Sequence, residues 1–276
     1  MPTLNTIINS ATQQLPNSTT SRLDVEVLLC HILKKNRSYL YAWPEKQLTN
    51  EQHNQFKILL AQRILGKPIA YLTGHKEFWS LDLQVTENTL IPRPETELLV
   101  EQALIRLPVK KISKVIDLGT GTGAIALAIA QERPQSSITA IDKFPKVLQV
   151  AKNNAQHLNL YNIEFITGDW LSNYLKKVDL IVSNPPYISF NDPHLTQGDV
   201  KYEPHSSLVA GTDGLADIKQ IIEQSCENLL NQGWLLLEHG YEQAKQVRYL
   251  LTKNGYQAIM TYNDLAGQPR VTVGRL

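Results

Sequence analysis

Apolar positions recur at two different periods along this chain, and the change of period divides it. From Thr3 to about Thr73 the spacing is helical. It predicts a helix over Thr3 to Gln14, stopped by Pro16, and a second over Arg22 to Leu33. Ser18-Thr19-Thr20-Ser21 offers N-caps for the second helix. Leu23, Val27 and Cys30 form its stripe, broadened by Val25, Leu28 and Leu29. A third helix, Thr49 to Leu65, places Phe56, Leu59, Leu60 and Ile64 on one side and stops at Gly66-Lys67-Pro68. Tyr39, Tyr41 and Trp43 fall between the helices and read as core or staple residues.

From Tyr71 the period shortens. Phe78, Leu81, Leu83 and Val85 alternate with polar residues, as in a hairpin with Ser80 near its turn. The divisions expected are a helical domain over 1–73, a hairpin linker over 74–92 and a larger domain over 93–276. Next comes Ile91-Pro92-Arg93-Pro94-Glu95-Thr96-Glu97-Leu98. Pro94 and the two glutamates suit a helix start, and the stretch is either that alone or part of an active-site lining.

Short apolar runs then alternate with helical segments. Lys114–Leu118, Ser137–Ile141, Ile163–Thr167, Val178–Val182 and Gly233–Glu238 read as buried strands. Ala124–Ala130 reads as a buried helix, and Ala216–Leu230 as a helix with Ile218, Ile221, Ile222, Cys226 and Leu229 inward. Gln243–Lys253 is the last helix, ended by Gly255, and Tyr256–Tyr262 with Arg270–Gly274 closes the chain as an antiparallel pair. Strand and helix in alternation mean an α/β fold with a mainly parallel sheet.

Composition narrows the class. The 276 residues suffice for one large domain and a small one, and Lys plus Arg (27) barely exceed Asp plus Glu (26). A strong sequence-independent grip on nucleic acid needs a basic excess, so no stable nucleic-acid binding is expected. Cys30 and Cys226 form neither a metal spacing nor a disulfide framework, so no metal is expected. No basic leader and no membrane-length apolar run is seen, which points to the cytoplasm.

Candidate chemistry collects where the strands end. Lys114–Leu118 runs into Gly119-Thr120-Gly121-Thr122-Gly123, and a helix follows. Glycines let backbone approach a ligand, and helix amides point at it. Asp142 ends the next strand, about twenty residues on, where a carboxylate can accept from both hydroxyls of a ribose. The loop lacks the third glycine of a dinucleotide fingerprint, Ala124 standing there, and no Lys-Ser/Thr follows to make a P-loop. Asp169 and Trp170 end the third strand and suit an adenine amino group and ring.

The fourth strand ends in Ser183-Asn184-Pro185-Pro186-Tyr187. Two prolines stiffen this loop and leave its carbonyls without local partners. A planar nitrogen with two N–H groups is a poor nucleophile. The Asn184 oxygen and the Pro185 carbonyl can accept one N–H each and favour the charge that grows on attack. Tyr187 can stack on the flat group.

Together DLGTGTGAIALAIA, Asp142, GDW and SNPPYI resemble the class I S-adenosylmethionine-dependent methyltransferases of planar nitrogens. RILGKPIAYLTGHKEFW, IPRPETELLV, NPPYI, DPHLTQGDVKYEPHSSLVAGTDGLA and LLLEHG are similar to the HemK/PrmC family over nearly the whole chain, least before Ser21. That family methylates the side-chain N5 of the glutamine in the Gly-Gly-Gln motif of peptide chain release factors. The resemblance implies a class I Rossmann-like methyltransferase domain behind a small N-terminal all-helical domain that docks on the release factor. It implies S-adenosylmethionine contacts from Gly119, Thr120, Gly121, Thr122, Gly123, Asp142, Trp170 and Asn184. Asn184, Pro185, Pro186 and Tyr187 become the glutamine clamp, with Asn184, Pro185 and Tyr187 catalytic. A sister family that methylates a ribosomal-protein glutamine departs from PRPETE and GTGTG, both of which this chain keeps. The rivals are a nucleic-acid base methyltransferase and a non-catalytic binding module.

Ser189 to Gly214 is polar, rich in turn residues and too long for a simple connector; it reads as a flap over the substrate side. His194 and His205 are candidate bases there, although loop histidines are more often merely solvated. His239 reads as structural.

Overall fold

A computed structural model describes residues 2–276. The chain forms two compact units. One takes the chain up to His75 together with Thr196–Tyr202, and the other takes Lys76–Leu195 with Glu203–Leu276. Among the described residues no helix is long and apolar enough to cross a membrane.

The smaller unit is helical: α1 (Leu4–Thr12), α2 (Ser21–Leu33), α3 (Arg37–Ala42), α4 (Asn50–Ile64) and α5 (Ile69–Thr73). The Thr49 side chain accepts from the Gln52 amide and Gln52 answers on the Thr49 amide, so α4 starts in a full capping box. The inward face of α2 is Val25, Leu28 and Leu29, all fully buried, whereas Leu23 is exposed. That shift has a polar cause. Asp24 and Glu26 are buried too, Asp24 paired with Arg63 at 2.8 Å and Glu26 with Arg22 and Arg37 at 3.0 and 2.6 Å. On α4, Phe56 and Leu60 are buried as expected but Ile64 is exposed. Tyr41 and Trp43 are exposed rather than core: the Tyr41 hydroxyl donates to Glu26 at 2.8 Å and holds the ring outside. The short helices α3 and α5 span too few turns for their periodicity to be read. Thr196–Tyr202 is part of this unit through Arg63–Asp199 at 3.0 Å and a hydrogen bond from the Tyr202 hydroxyl to the Leu65 carbonyl.

The larger unit opens with the hairpin β1 (His75–Phe78) and β2 (Leu81–Gln84). Trp79 and Ser80 both have positive φ, as a two-residue hairpin turn requires. Phe78, Leu81 and Leu83 join the main core of this unit. Then come α6 (Glu97–Arg106), β3 (Lys114–Leu118), α7 (Ala124–Glu132), β4 (Ser137–Asp142), α8 (Pro145–His157), β5 (Ile163–Thr167), β6 (Val178–Ser183), α9 (Ala216–Asn228), β7 (Leu229–Glu238), α10 (Ala244–Lys253), β8 (Gln257–Asn263) and β9 (Pro269–Arg275). Helix α8 is missing from the sequence reading because lysines, glutamine and asparagines dilute its stripe of Val147, Leu148, Val150, Ala151 and Ala155. Strand β7 begins at Leu229, ahead of the expected Gly233, with a register irregularity against β6.

The sheet order is β5-β4-β3-β6-β7-β9-β8, parallel up to β7 and closed by antiparallel β9 and β8. One core joins α6 and α7 to the sheet and the other joins α9 and α10 to it, so apolar strands are covered on both faces. The chain runs outward from β3 to β5, then returns to lay β6 beside β3. That reversal is the switch point at which open α/β sheets bind ligands.

Candidate functional site

Strands β3 and β6 end level, Leu118 paired with Ser183, and the Ser183 hydroxyl donates to the Leu118 carbonyl at 2.8 Å. Two loops leave this point side by side. In the first, the amides of Gly119 and Thr120 both donate to the Ile141 carbonyl at 2.9 and 3.0 Å, which curls the loop over the end of β4. Gly119, Gly121 and Gly123 all have positive φ, a conformation that glycine adopts without strain. Asp142 closes the arrangement. Its Oδ2 accepts from the Gly121 amide at 3.1 Å and its Oδ1 from the Phe144 amide at 3.0 Å. Burial raises the Asp142 pKa, while these amides pull it back. Each oxygen keeps a further lone pair.

Beneath the loop lies Asp117, fully buried. Its Oδ2 accepts from the Thr120 hydroxyl at 2.6 Å and the Ala126 amide at 3.2 Å, tying the loop to the start of α7. Burial pushes this carboxyl up to about 7. Thr120 and Thr122 are therefore turned inward, and neither side chain faces the cleft. A Cβ at Gly123 would strike Leu127 and Ala151, so this glycine serves helix packing.

A cleft of about 270 Å³ opens above the strand ends, lined among others by Gly119, Gly121, Asp142, Asp169, Trp170 and Asn184. The Trp170 ring lies over Gly119, 3.2 Å from where a Cβ would stand, and its Nε1 donates to Asp217 at 3.2 Å. Asp169 is exposed and paired with Lys143 at 3.2 Å.

The second loop is Asn184-Pro185-Pro186-Tyr187. Asn184 Nδ2 donates to the Thr96 hydroxyl at 3.2 Å, which leaves Oδ1 as the acceptor facing away from Thr96. Thr96 lies in the 3-10 turn Pro94–Thr96 that leads into α6, so this turn has a role at the site besides starting a helix. Its neighbours brace it: Glu97 accepts from the Trp79 amide at 2.9 Å, and Arg93 pairs with buried Glu203. The Tyr187 carbonyl has a distant partner rather than a local one: it accepts from Gln243 Nε2 at 3.0 Å. Gln243 donates also to the Gly214 carbonyl and accepts from the Gly240 amide. Gly214 has positive φ, and a Cβ there would stand 2.3 Å from the Tyr187 carbonyl oxygen. The Tyr187 hydroxyl donates to Glu238 Oε1 at 3.3 Å. Burial holds Glu238 up at about 7 and raises the Tyr187 hydroxyl.

Glu238 and Gln243 escaped the sequence reading, and Thr96 and Gly214 entered it only as members of a possible active-site lining and of the flap. The retrievable signals were the Pro-x-Thr-Glu turn and a glutamate closing an otherwise apolar strand. The histidines lie apart from this chemistry. His194 is exposed and bonded to Asp192, His205 is exposed, and His239 is buried between the Gly240 carbonyl and the Thr272 hydroxyl. Ser189 to Gly214 holds three short 3-10 turns, and its Leu208–Gly211 stretch runs beside Ile188 and Phe190.

Comparison with known proteins gives matching results for both halves. Residues 6–74 match the family model described as the PrmC N-terminal domain, and residues 110–269 match a methyltransferase domain. The release factor glutamine methyltransferase of Escherichia coli K12 is 50% identical over 269 residues, 97% of this chain and 97% of its own. That of Vibrio cholerae serotype O1 is 49% identical over 277 residues, 99% of this chain and 96% of its own. A solved methyltransferase from Pyrococcus furiosus aligns with a TM-score of 0.54 over 78% of this chain and 96% of its own, at 15% identity, which speaks for the fold alone.

Proposed function

The chain belongs to the release factor glutamine methyltransferase family, and from that premise we propose that it transfers a methyl group from S-adenosylmethionine to the side-chain N5 of the glutamine in the Gly-Gly-Gln motif of peptide chain release factors. Identity of about half over nearly the full length carries this reading. The single structural observation behind the chemistry is the Asn184 carboxamide, whose nitrogen is engaged by Thr96 while its oxygen is left to accept.

The cleft suits the adenosyl donor. Glycine at 119 and 121 leaves room along the loop, Asp142 holds two fixed oxygens for ribose hydroxyls, and Trp170 offers an aromatic face. Thr120, Thr122 and Gly123 contribute backbone shape rather than side-chain contacts. When bound, S-adenosylmethionine supplies a methyl already activated on a sulfonium. The protein therefore needs mainly to position and stabilise.

Asn184 Oδ1 and the Pro185 carbonyl accept the two N–H groups of the substrate amide. They point its nitrogen at the methyl and favour the positive charge that develops there. This interaction strengthens towards the transition state, which is the condition for raising turnover. Pro186 stiffens the loop and Tyr187 covers the amide plane. The excess proton leaves to water, so no dedicated base is required. Residues 1–73 serve as the recognition module for the release factor.

The test is transfer of labelled methyl from S-adenosylmethionine to an unmethylated release factor, with the Gly-Gly-Gln glutamine replaced as one control and a DNA and RNA mixture as another. Label on the intact factor alone supports the reading. Label on nucleic acid, or on neither, overturns it.

A further inference from the structure

A buried carboxylate stands behind the loop that presents Asn184, outside every role assigned above. Glu238 closes β7 and is 1% exposed. The Tyr187 hydroxyl donates to its Oε1, and the Thr96 hydroxyl faces the same carboxyl and favours its charged form; Oε2 makes no close hydrogen bond. Thr96 also receives the Asn184 Nδ2. The side chains thus form one directional line: Asn184 N–H to Thr96 oxygen, Thr96 O–H towards Glu238, and Tyr187 O–H to Glu238 from the other side.

The direction matters because an ionised carboxylate can only accept, whereas a hydroxyl can donate or accept. With Glu238 charged, the Thr96 hydroxyl is drawn to turn its hydrogen towards the carboxylate. Thr96 can then only accept from Asn184. Asn184 must turn its NH₂ to Thr96 and its oxygen to the substrate side. Were the line to reverse, Thr96 would donate to Asn184 Oδ1, and the NH₂ would face the substrate's own N–H groups.

We propose that Glu238 is a positioning residue that fixes which way round the Asn184 carboxamide faces, acting through Thr96, and that it anchors the Tyr187 ring over the same site. The inference rests on the role given to Asn184 under the proposed function. The burial of Glu238 has a functional consequence on this view: its charge is the polarity signal of the line. Charged and titratable groups around it are Arg270 on β9, which favours the carboxylate, Glu95 in the turn before α6, which opposes it, and the Tyr187 hydroxyl; Arg93 faces Tyr187 in turn. Its chain neighbour His239 is held towards neutral by burial. Protonation of Glu238, at about pH 7, releases the Thr96 hydrogen and lets the amide turn over.

The experiment compares wild type with Glu238→Gln, Thr96→Val and Thr96→Ser, using full-length enzyme, S-adenosylmethionine and an unmethylated release factor. The turnover number is followed over about pH 6 to 9, with cofactor affinity measured by calorimetry. Wild-type kcat is expected to fall below about pH 7; Glu238→Gln is expected to lower kcat about tenfold or more, with the Kd for S-adenosylmethionine within about twofold, and to abolish that fall. Thr96→Val should behave alike, and Thr96→Ser should recover most of what Thr96→Val loses. If Glu238→Gln fails to fold, the two threonine variants decide alone. A Thr96→Val enzyme with wild-type kcat, or an acid limb that persists in Glu238→Gln, overturns the proposal. A wild type that methylates no release factor overturns the proposed function instead, before any variant is compared.

Discussion

The loops after β3 and β6 leave the sheet side by side, yet they are fastened by different means. The glycine loop is held by what lies near it in sequence: Asp117 three residues before Thr120, the Ile141 carbonyl and the Asp142 carboxylate on the adjoining strand. The proline loop is held from a distance. Thr96, Gly214, Glu238 and Gln243 all bear on it, from 27 to 88 residues away. One loop is thus fastened within a single strand-loop-helix-strand unit. The other is a product of the finished fold, so its chemistry exists only when four separate stretches are in place.

The sharpest break would come at Asn184. Asn184→Ala should lower turnover about 10²-fold or more, as when a charge-stabilising contact is lost, with little change in cofactor affinity. Near-normal turnover in a methyl-transfer assay would remove the amide clamp from the account. On the glycine side the effect should fall on binding. Asp142→Ala should weaken S-adenosylmethionine about 10- to 100-fold by calorimetry, the worth of hydrogen bonds to a charged group. An unchanged Kd would refute the ribose role and blur the division between the two loops.

Gly214→Ala tests the distant fastening directly. It adds a Cβ against the Tyr187 carbonyl at a positive φ, and should cost about 1–3 kcal/mol of stability by denaturant titration. Gly121→Ala strains the backbone without such a collision and should cost less. Equal costs would mean that backbone strain, not the collision, governs. The smallest effect concerns pH. Glu238 has a folded pKa raised from 4.5 to about 7, so the folded state holds a proton that the unfolded chain has lost. Its contribution is present below about pH 4.5 and is lost as pH rises to about 7. Stability should therefore decline across that window, and Glu238→Gln should flatten part of the slope in thermal melts.

The same contrast explains what could be read beforehand. Strand β3 ends where its apolar run ends, because a strand buried on both faces writes itself as a mainly apolar stretch, whereas β5, at the sheet edge with no buried residue, was legible through Ile163, Phe165 and Ile166 alone. The GTGTG loop, Asp142 and the Asn-Pro-Pro-Tyr stretch were legible because their chemistry is concentrated in a few adjacent residues. Helix α8 was not, since its polar side chains outnumber its apolar ones. The inward face of α2 was legible in part: Val25, Leu28 and Leu29 are buried as the stripe suggested, while buried Asp24 and Glu26, held by arginines further along the chain, were not foreseen. Thr96 stood in a stretch that local sequence left open between a helix start and an active-site lining; that its hydroxyl meets Asn184 is a fact of tertiary folding alone. Tyr41 was misplaced because hydrophobicity says nothing of a hydroxyl bound to Glu26 at the rim.

The helical unit includes Thr196–Tyr202, a stretch drawn from the far side of the chain. It follows that the helical unit is not a detachable prefix. A deletion that began the protein at Lys76 would strand Asp199 and Tyr202 without Arg63 and Leu65, in the very segment that leads into Glu203. Exchange of helical units between relatives, by recombination or by design, would have to move two separate stretches of gene at once. A single crossover near residue 75 splits the unit.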